Sequence, residues 1–149
     1  ATRVLPEEIT TLVRREMQGV VAEGTAKRAD HSMVLSDGRV LPVGGKTGTG
    51  DNRMQTFSAH GGIKSSEAKS RTATFVFTID DRFFGCVTAW VTGPEAGQYK
   101  FTSALAAQVF KTLAPDIQPL LDRAYGVPPG AKPPAPAKQQ KLASAAKPL

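Results

Sequence analysis

Cysteine is all but missing: Cys86 is the only one among 149 residues, so no internal disulfide can form. It lies in the apolar run 83–91 with no histidine or other base beside it in sequence, which predicts a buried structural thiol rather than a nucleophile. Long hydrophobic runs are missing too. No stretch reaches the roughly 18 apolar residues of a membrane-spanning helix, and no signal-peptide pattern opens the chain. The first residues are Ala1-Thr2-Arg3 rather than Met, which leaves room for an upstream region carrying an anchor or a signal. Acids are absent after Asp122. From Val127 on, Pro, Ala and Lys dominate without hydrophobic period, so residues 127–149 are expected to form a disordered tail and residues 1–126 one folded unit. Net charge is +6, of which Lys132, Lys138, Lys141 and Lys147 supply four. The folded unit is therefore near neutral, and nucleic acid is not an expected partner.

What is abundant is glycine in one place. Gly44-Gly45-Lys46-Thr47-Gly48-Thr49-Gly50 puts four glycines, two hydroxyls and one amine into seven residues, between the strand-like runs 39–43 and 54–59. Glycine lets another backbone or a ligand come close, the lysine presents a cation, and threonine hydroxyls both donate and accept.

The flanking sequence predicts an α+β arrangement, an antiparallel sheet covered by helices. Pro6-Glu7-Glu8 starts a helix whose apolar stripe is Ile9, Leu12, Val13, Met17, Val20 and Val21, with Gly24 to end it. Residues 25–32 read as an irregular loop, with His31 exposed beside Asp30. Asp37-Gly38 between short apolar runs signals a hairpin. Residues 63–71 read as a polar linker. Thr72–Ile79 and Phe83–Val91 then form a strand pair turned by Asp80-Asp81-Arg82. Ala73, Phe75, Phe77 and Ile79 share one face; Phe84, Cys86, Thr88 and Trp90 share one face of the partner strand. A helix is expected from Thr102 to Leu113, ended by Pro115, and a short second one capped by Asp116 and ended by Gly126.

Two chemistries suit the glycine stretch. Gly45-Lys46-Thr47 is the ending of a phosphate-binding loop, but Val40 stands where that loop needs Gly, and Gly48-Thr49-Gly50 is a poor start for the helix that must follow. The second is the Lys-Thr-Gly element of penicillin-binding proteins and serine β-lactamases, which sits on a strand. The string from Leu41 to Arg53 resembles the corresponding stretch of penicillin-binding transpeptidase domains, above all the bifunctional glycosyltransferase/transpeptidase kind. The helix with Gln18-Gly19-Val20-Val21-Ala22-Glu23-Gly24-Thr25-Ala26 is similar to the segment that leads into the motif there, and the resemblance runs over about residues 4–114.

The resemblance implies the C-terminal portion of a transpeptidase fold. It implies that Lys46 supports the charge balance of the nucleophile site and that Thr47 and Thr49 hold the carboxylate of a D-Ala-D-Ala peptide or a β-lactam. Gly48 lies between them in the binding wall, and the Thr49 N–H is one oxyanion donor. It further implies no metal or cofactor, a location in the periplasm or on the outer face of the cytoplasmic membrane, and an upstream remainder of the domain as partner. The family's other two elements, Ser-x-x-Lys and Ser-x-Asn, do not precede Lys46. Ser66-Glu67-Ala68-Lys69 follows it, in polar surroundings unlike the buried helix that activates such a serine. Two functions remain open: a transpeptidase fragment that supplies the Lys-Thr-Gly wall, inactive alone, or a non-catalytic module that binds cell-wall peptide or polymer. A sheet left without the family's further strands is expected to be poorly stable alone or to seek a partner.

Overall fold

A computed structural model of the chain describes residues 4–133. The order is α1 (Glu7–Ala22), β1 (Val43–Phe57), β2 (Ile63–Ile79), β3 (Phe83–Thr92), α2 (Ser103–Thr112) and α3 (Ala114–Ala124), with short 3-10 turns at Lys27–Ala29 and Ala96–Gln98. The three strands form one antiparallel sheet in the order β1-β2-β3. The fold is α+β, as the sequence predicts.

Strand register separates two faces, because residues directly opposite each other share one. One face carries the rows Val43-Ile79-Phe83, Gly45-Phe77-Gly85, Thr47-Phe75-Val87 and Thr49-Ala73-Ala89. Helices α2 and α3 cover it through Ala106, Ala107, Phe110 and Leu121. At its centre the Phe75 and Phe110 rings meet edge-on at 5.3 Å, and Phe77 lies 4.4 Å from Phe110. Aromatic pairs in such geometry contribute about 0.5–1.5 kcal/mol beyond burial. The glycines of the second row make room for these rings: a Cβ on Gly85 would stand 2.6 Å from Phe77 Cζ.

The opposite face carries Gly44-Thr78-Phe84, Lys46-Val76-Cys86, Gly48-Thr74-Thr88 and Gly50-Thr72-Trp90. Only one corner of it is covered. Helix α1 lies over Gly44, whose added Cβ would meet Met17 and Gln18 at 3.3 Å. Beyond that corner Phe84 is 87% exposed and Trp90 65%. Cys86 is exposed on this face, its sulfur 3.4 Å from the Thr88 hydroxyl, and is not the buried thiol expected. The apolar run around it misled, since Phe84, Cys86, Thr88 and Trp90 alternate outward. The α1 stripe is likewise half used: Val21 is buried, while Ile9, Leu12 and Val13 are exposed.

From α1 the chain passes to the helix-covered face, where Ala26 and Ala29 join the core beside α2. His31 is exposed, with Nδ1 2.9 Å from Asp30 Oδ1. The Asp37-Gly38 turn closes a minimal hairpin with the single bridge Val34–Val40 and Gly38 at φ 89°. Its tip is held to α3 by Asp122, which accepts from Ser36 N and Oγ at 2.9 and 2.6 Å.

Residues 63–71 are not a linker. They are the first half of β2 and pair with the far half of β1, with irregularities at Asn52/Arg53 and Thr56/Phe57. The outer part of that half, residues 63–67, extends beyond β3 as a two-stranded ribbon exposed on both sides, so it needs no apolar alternation, while Ala68 and Ser70 are buried. Polar cross-strand pairs hold it instead, such as Thr56 with Ser65 at 2.6 Å and Arg53 with Ser66 at 3.0 Å. Pro115 opens α3 rather than merely ending α2: Leu113 caps both helices, and Pro115 and Asp116 occupy the first turn of α3. Val127 and Ala131 pack with the core. Most of the expected tail, residues 134–149, lies outside the described residues.

Candidate functional site

The Lys-Thr-Gly stretch lies wholly in β1, which pairs with β2 on one side and, among the described residues, has no strand on the other. On such an edge, alternate N–H and C=O groups point away from the sheet and stay available to a ligand. Strand alternation divides the motif. Lys46 and Gly48 project from the open face, Thr47 and Thr49 from the face covered by α2.

Lys46 is exposed, and its Nζ donates to the Thr47 carbonyl at 2.8 Å. Among the described residues no carboxylate pairs with it. It borders a cavity of about 440 Å³ between α1 and β1, lined mainly by Leu12, Val13, Met17 and Val20. Gly48 has nothing within 4 Å of where a Cβ would be, so the strand is bare there.

Both hydroxyls are engaged inside the protein. Thr47 is buried and shares a 2.6 Å hydrogen bond with Thr25, just past the end of α1. Thr49 Oγ1 accepts from the Ser103 amide at 2.8 Å, in the first turn of α2. A hydroxyl that accepts an N–H keeps its own proton to donate. The arrangement thus offers an exposed cation, a bare glycine edge and one hydroxyl with a proton to give. These suit an anion or an extended peptide laid along β1.

Next to this stretch sits a cluster that composition and periodicity do not reveal. Asp51 Oδ1 receives Arg71 Nη1 at 2.9 Å, and Arg53 lies 3.8 Å from its other oxygen. Arg71 also donates from Nε to the Phe101 carbonyl at 2.6 Å and stacks on that ring at 5.7 Å. The signal for it is the cross-strand pairing of Asp51 with Arg71, which exists only once the β1–β2 register is known. Thr25 could have been found from its place after Gly24, which closes α1: a Cβ on Gly24 would stand 2.8 Å from the Val20 carbonyl.

Ser66 is exposed on β2 and accepts from Arg53, while Lys69 pairs with Glu67 at 2.7 Å. No lysine activates Ser66. The described residues contain no group of three or more potential metal ligands and no helix long and apolar enough to cross a membrane.

Fold and site together define an α+β unit with a Lys-Thr-Gly element on a sheet-edge strand. No protein-family model matches the chain, and no curated protein matches it. Among solved structures it is similar to the apo structure of the TP domain from Burkholderia pseudomallei penicillin-binding protein 3, with TM-score 0.47 and 24% sequence identity. That match covers 87% of this chain and 34% of the other, so the chain spans about a third of its length.

Proposed function

We infer that this chain supplies the Lys-Thr-Gly wall of a serine D,D-transpeptidase site, the kind that forms an acyl-enzyme and cross-links peptidoglycan outside the cytoplasmic membrane. The observation that carries this reading is the position of Lys46-Thr47-Gly48 on the outermost strand of an antiparallel sheet, with no carboxylate on Lys46 among the described residues and Gly48 bare. In this reading a peptide ending in D-Ala-D-Ala, or a β-lactam, lies along β1. Lys46 supplies positive charge beside the nucleophile, and Thr49 addresses the carboxylate, while Thr47, expected to share that role, is buried on Thr25 and holds the strand in place. The Thr49 N–H stabilises the oxyanion, a contribution of about 3–4 kcal/mol where such a donor has been removed. The serine and its lysine come from an upstream segment, which the open sheet face and the exposed half of the α1 stripe would receive.

The test is labelling with a fluorescent penicillin followed by intact mass, on this chain alone and on the chain mixed with the upstream segment, with circular dichroism to confirm folding. The expected adduct is on the upstream segment and needs both parts. Lys46→Ala in the mixture should slow labelling by about 100-fold, the scale on which a preorganised electrostatic contact acts. An adduct on this chain alone would refute the division of labour. No adduct in folded samples would refute the enzymatic reading and leave a module that binds cell-wall peptide.

A further inference from the structure

We propose that Arg71 is the positioning residue of the Lys-Thr-Gly strand: by joining Asp51 to Phe101 it keeps the Ser103 amide on the Thr49 hydroxyl, so that Thr49 meets an anionic ligand as a donor. The functional half of this statement rests on the transpeptidase reading; the positioning half does not.

The segment after β3 folds back along β2 before it reaches β1. Gly93 N and Thr92 Oγ1 bond the Lys69 carbonyl at 3.1 and 3.2 Å, and Ala96 is buried. Among the described residues, hydrogen bonds tie its last residues toward β1 through Arg71, which joins Phe101 to Asp51, and through the Ser103 amide on Thr49. Only Thr102 separates Phe101 from Ser103, so displacing the Phe101 carbonyl displaces the amide that Thr49 accepts. The Arg71 side chain is only 19% exposed and is held from three directions by a carboxylate, a carbonyl and a ring. The guanidinium fork can serve the first two at once; a lysine ammonium cannot do so with the same planar geometry.

A hydroxyl free to rotate offers a ligand either its proton or its lone pairs. With the Ser103 amide N–H on one lone pair, the oxygen keeps its proton and a second lone pair, and the pinned hydroxyl has that proton free to donate outward. A carboxylate accepts and does not donate, so it is matched to that outward proton.

Two measurements test this. On the chain alone, Arg71→Ala should speed exchange of the Ser103 amide proton by roughly tenfold, the loss expected for a charge-assisted hydrogen bond, and should spread Thr49 χ1 over several rotamers in scalar couplings. The Phe75 and Phe110 amides should keep their protection. Asp51→Asn serves as the second variant and should do the same more weakly. An unchanged Ser103 amide, or one that accelerates together with the Phe110 amide, overturns the positioning role. In the two-part labelling sample, Arg71→Ala should lower the rate with benzylpenicillin by roughly tenfold and with its methyl ester by much less, because the ester lacks the anionic acceptor. Equal losses overturn the donor assignment. If the wild-type mixture takes no label, the transpeptidase reading fails while the exchange measurement still decides the role of Arg71.

Discussion

Two glycines three residues apart, Gly45 and Gly48, should respond oppositely to the same added methyl group. A Cβ on Gly45 would stand 2.6 Å from the Val76 carbonyl and 2.7 Å from Phe75 Cζ, and closer still to Phe75 Cε2. Carbon contacts are at rest near about 3.5–4.0 Å, so something has to move. The Val76 oxygen belongs to the paired strand. The Phe75 ring is fully buried between Phe77 and Phe110, with centroids at 6.0 and 5.3 Å. Overpacking of this kind costs about 1–3 kcal/mol, and Gly→Ala in a strand returns roughly 0.5–1 kcal/mol of chain entropy. Gly45→Ala should therefore be destabilised by about 1–2 kcal/mol. Gly48 has no neighbour within 4 Å of its Cβ position, so Gly48→Ala should be neutral or up to about 1 kcal/mol more stable. Urea unfolding followed by far-ultraviolet circular dichroism reads the difference, about 1–3 kcal/mol between the variants. Variants that agree within about 0.5 kcal/mol would refute the register that sets Gly45 against Phe77 and leaves Gly48 open.

Burial and a 2.7 Å hydrogen bond to Asp80 hold the Tyr125 phenol up at about 12, from an ordinary value of 10.0. The unfolded chain gives up this proton first. The stabilisation is therefore complete below pH 10 and lost as pH rises through about 12, and Tyr125→Phe should flatten that part of a stability–pH curve. Ser70 Oγ is buried without a hydrogen-bond partner, so Ser70→Ala should leave stability unchanged or raise it by about 1 kcal/mol in the same urea assay. The chain at high concentration should self-associate through the open face and the β1 edge. Phe84→Ser with Trp90→Ser should reduce the association seen by sedimentation without altering the helical signal, since both side chains are mostly exposed.

The elements whose residues answer to one face were legible in the sequence. Phe75, Phe77 and Ile79 alternate against a core, and α2 and α3 repeat at helical spacing over it, so the α+β class and the strand pair followed from period alone. What stayed hidden depends on partners distant in sequence. Residues 63–67 carry no alternation because neither side of the ribbon is buried there, the small buried Ala68 and Ser70 give no apolar signal, and only pairing with 51–57 makes 63–71 a strand. Cys86 sits in an apolar run on both sides, yet which half of that run faces outward is set by register against Val76. Arg71 looks like any linker cation until Asp51 lies opposite it.

The same distinction runs through the motif itself. The spacing of Lys46, Thr47 and Thr49 identified a stretch with a cation and two hydroxyls, but spacing says nothing of which groups the scaffold has already taken. Thr47 is spent on Thr25 and in return ties the end of α1 to β1. Thr49 is half spent, holding the α2 amide while keeping a proton. Lys46 bonds only its neighbour's carbonyl, a local contact that an approaching anion displaces at little cost. A motif divided across the two faces of a strand can act on one ligand only at the edge where those faces meet. Among the described residues that edge is free, because β1 is outermost in the sheet. In the proposed reading, the order of the strands, more than the identity of the residues, is what lets Lys46 and Thr49 address one ligand.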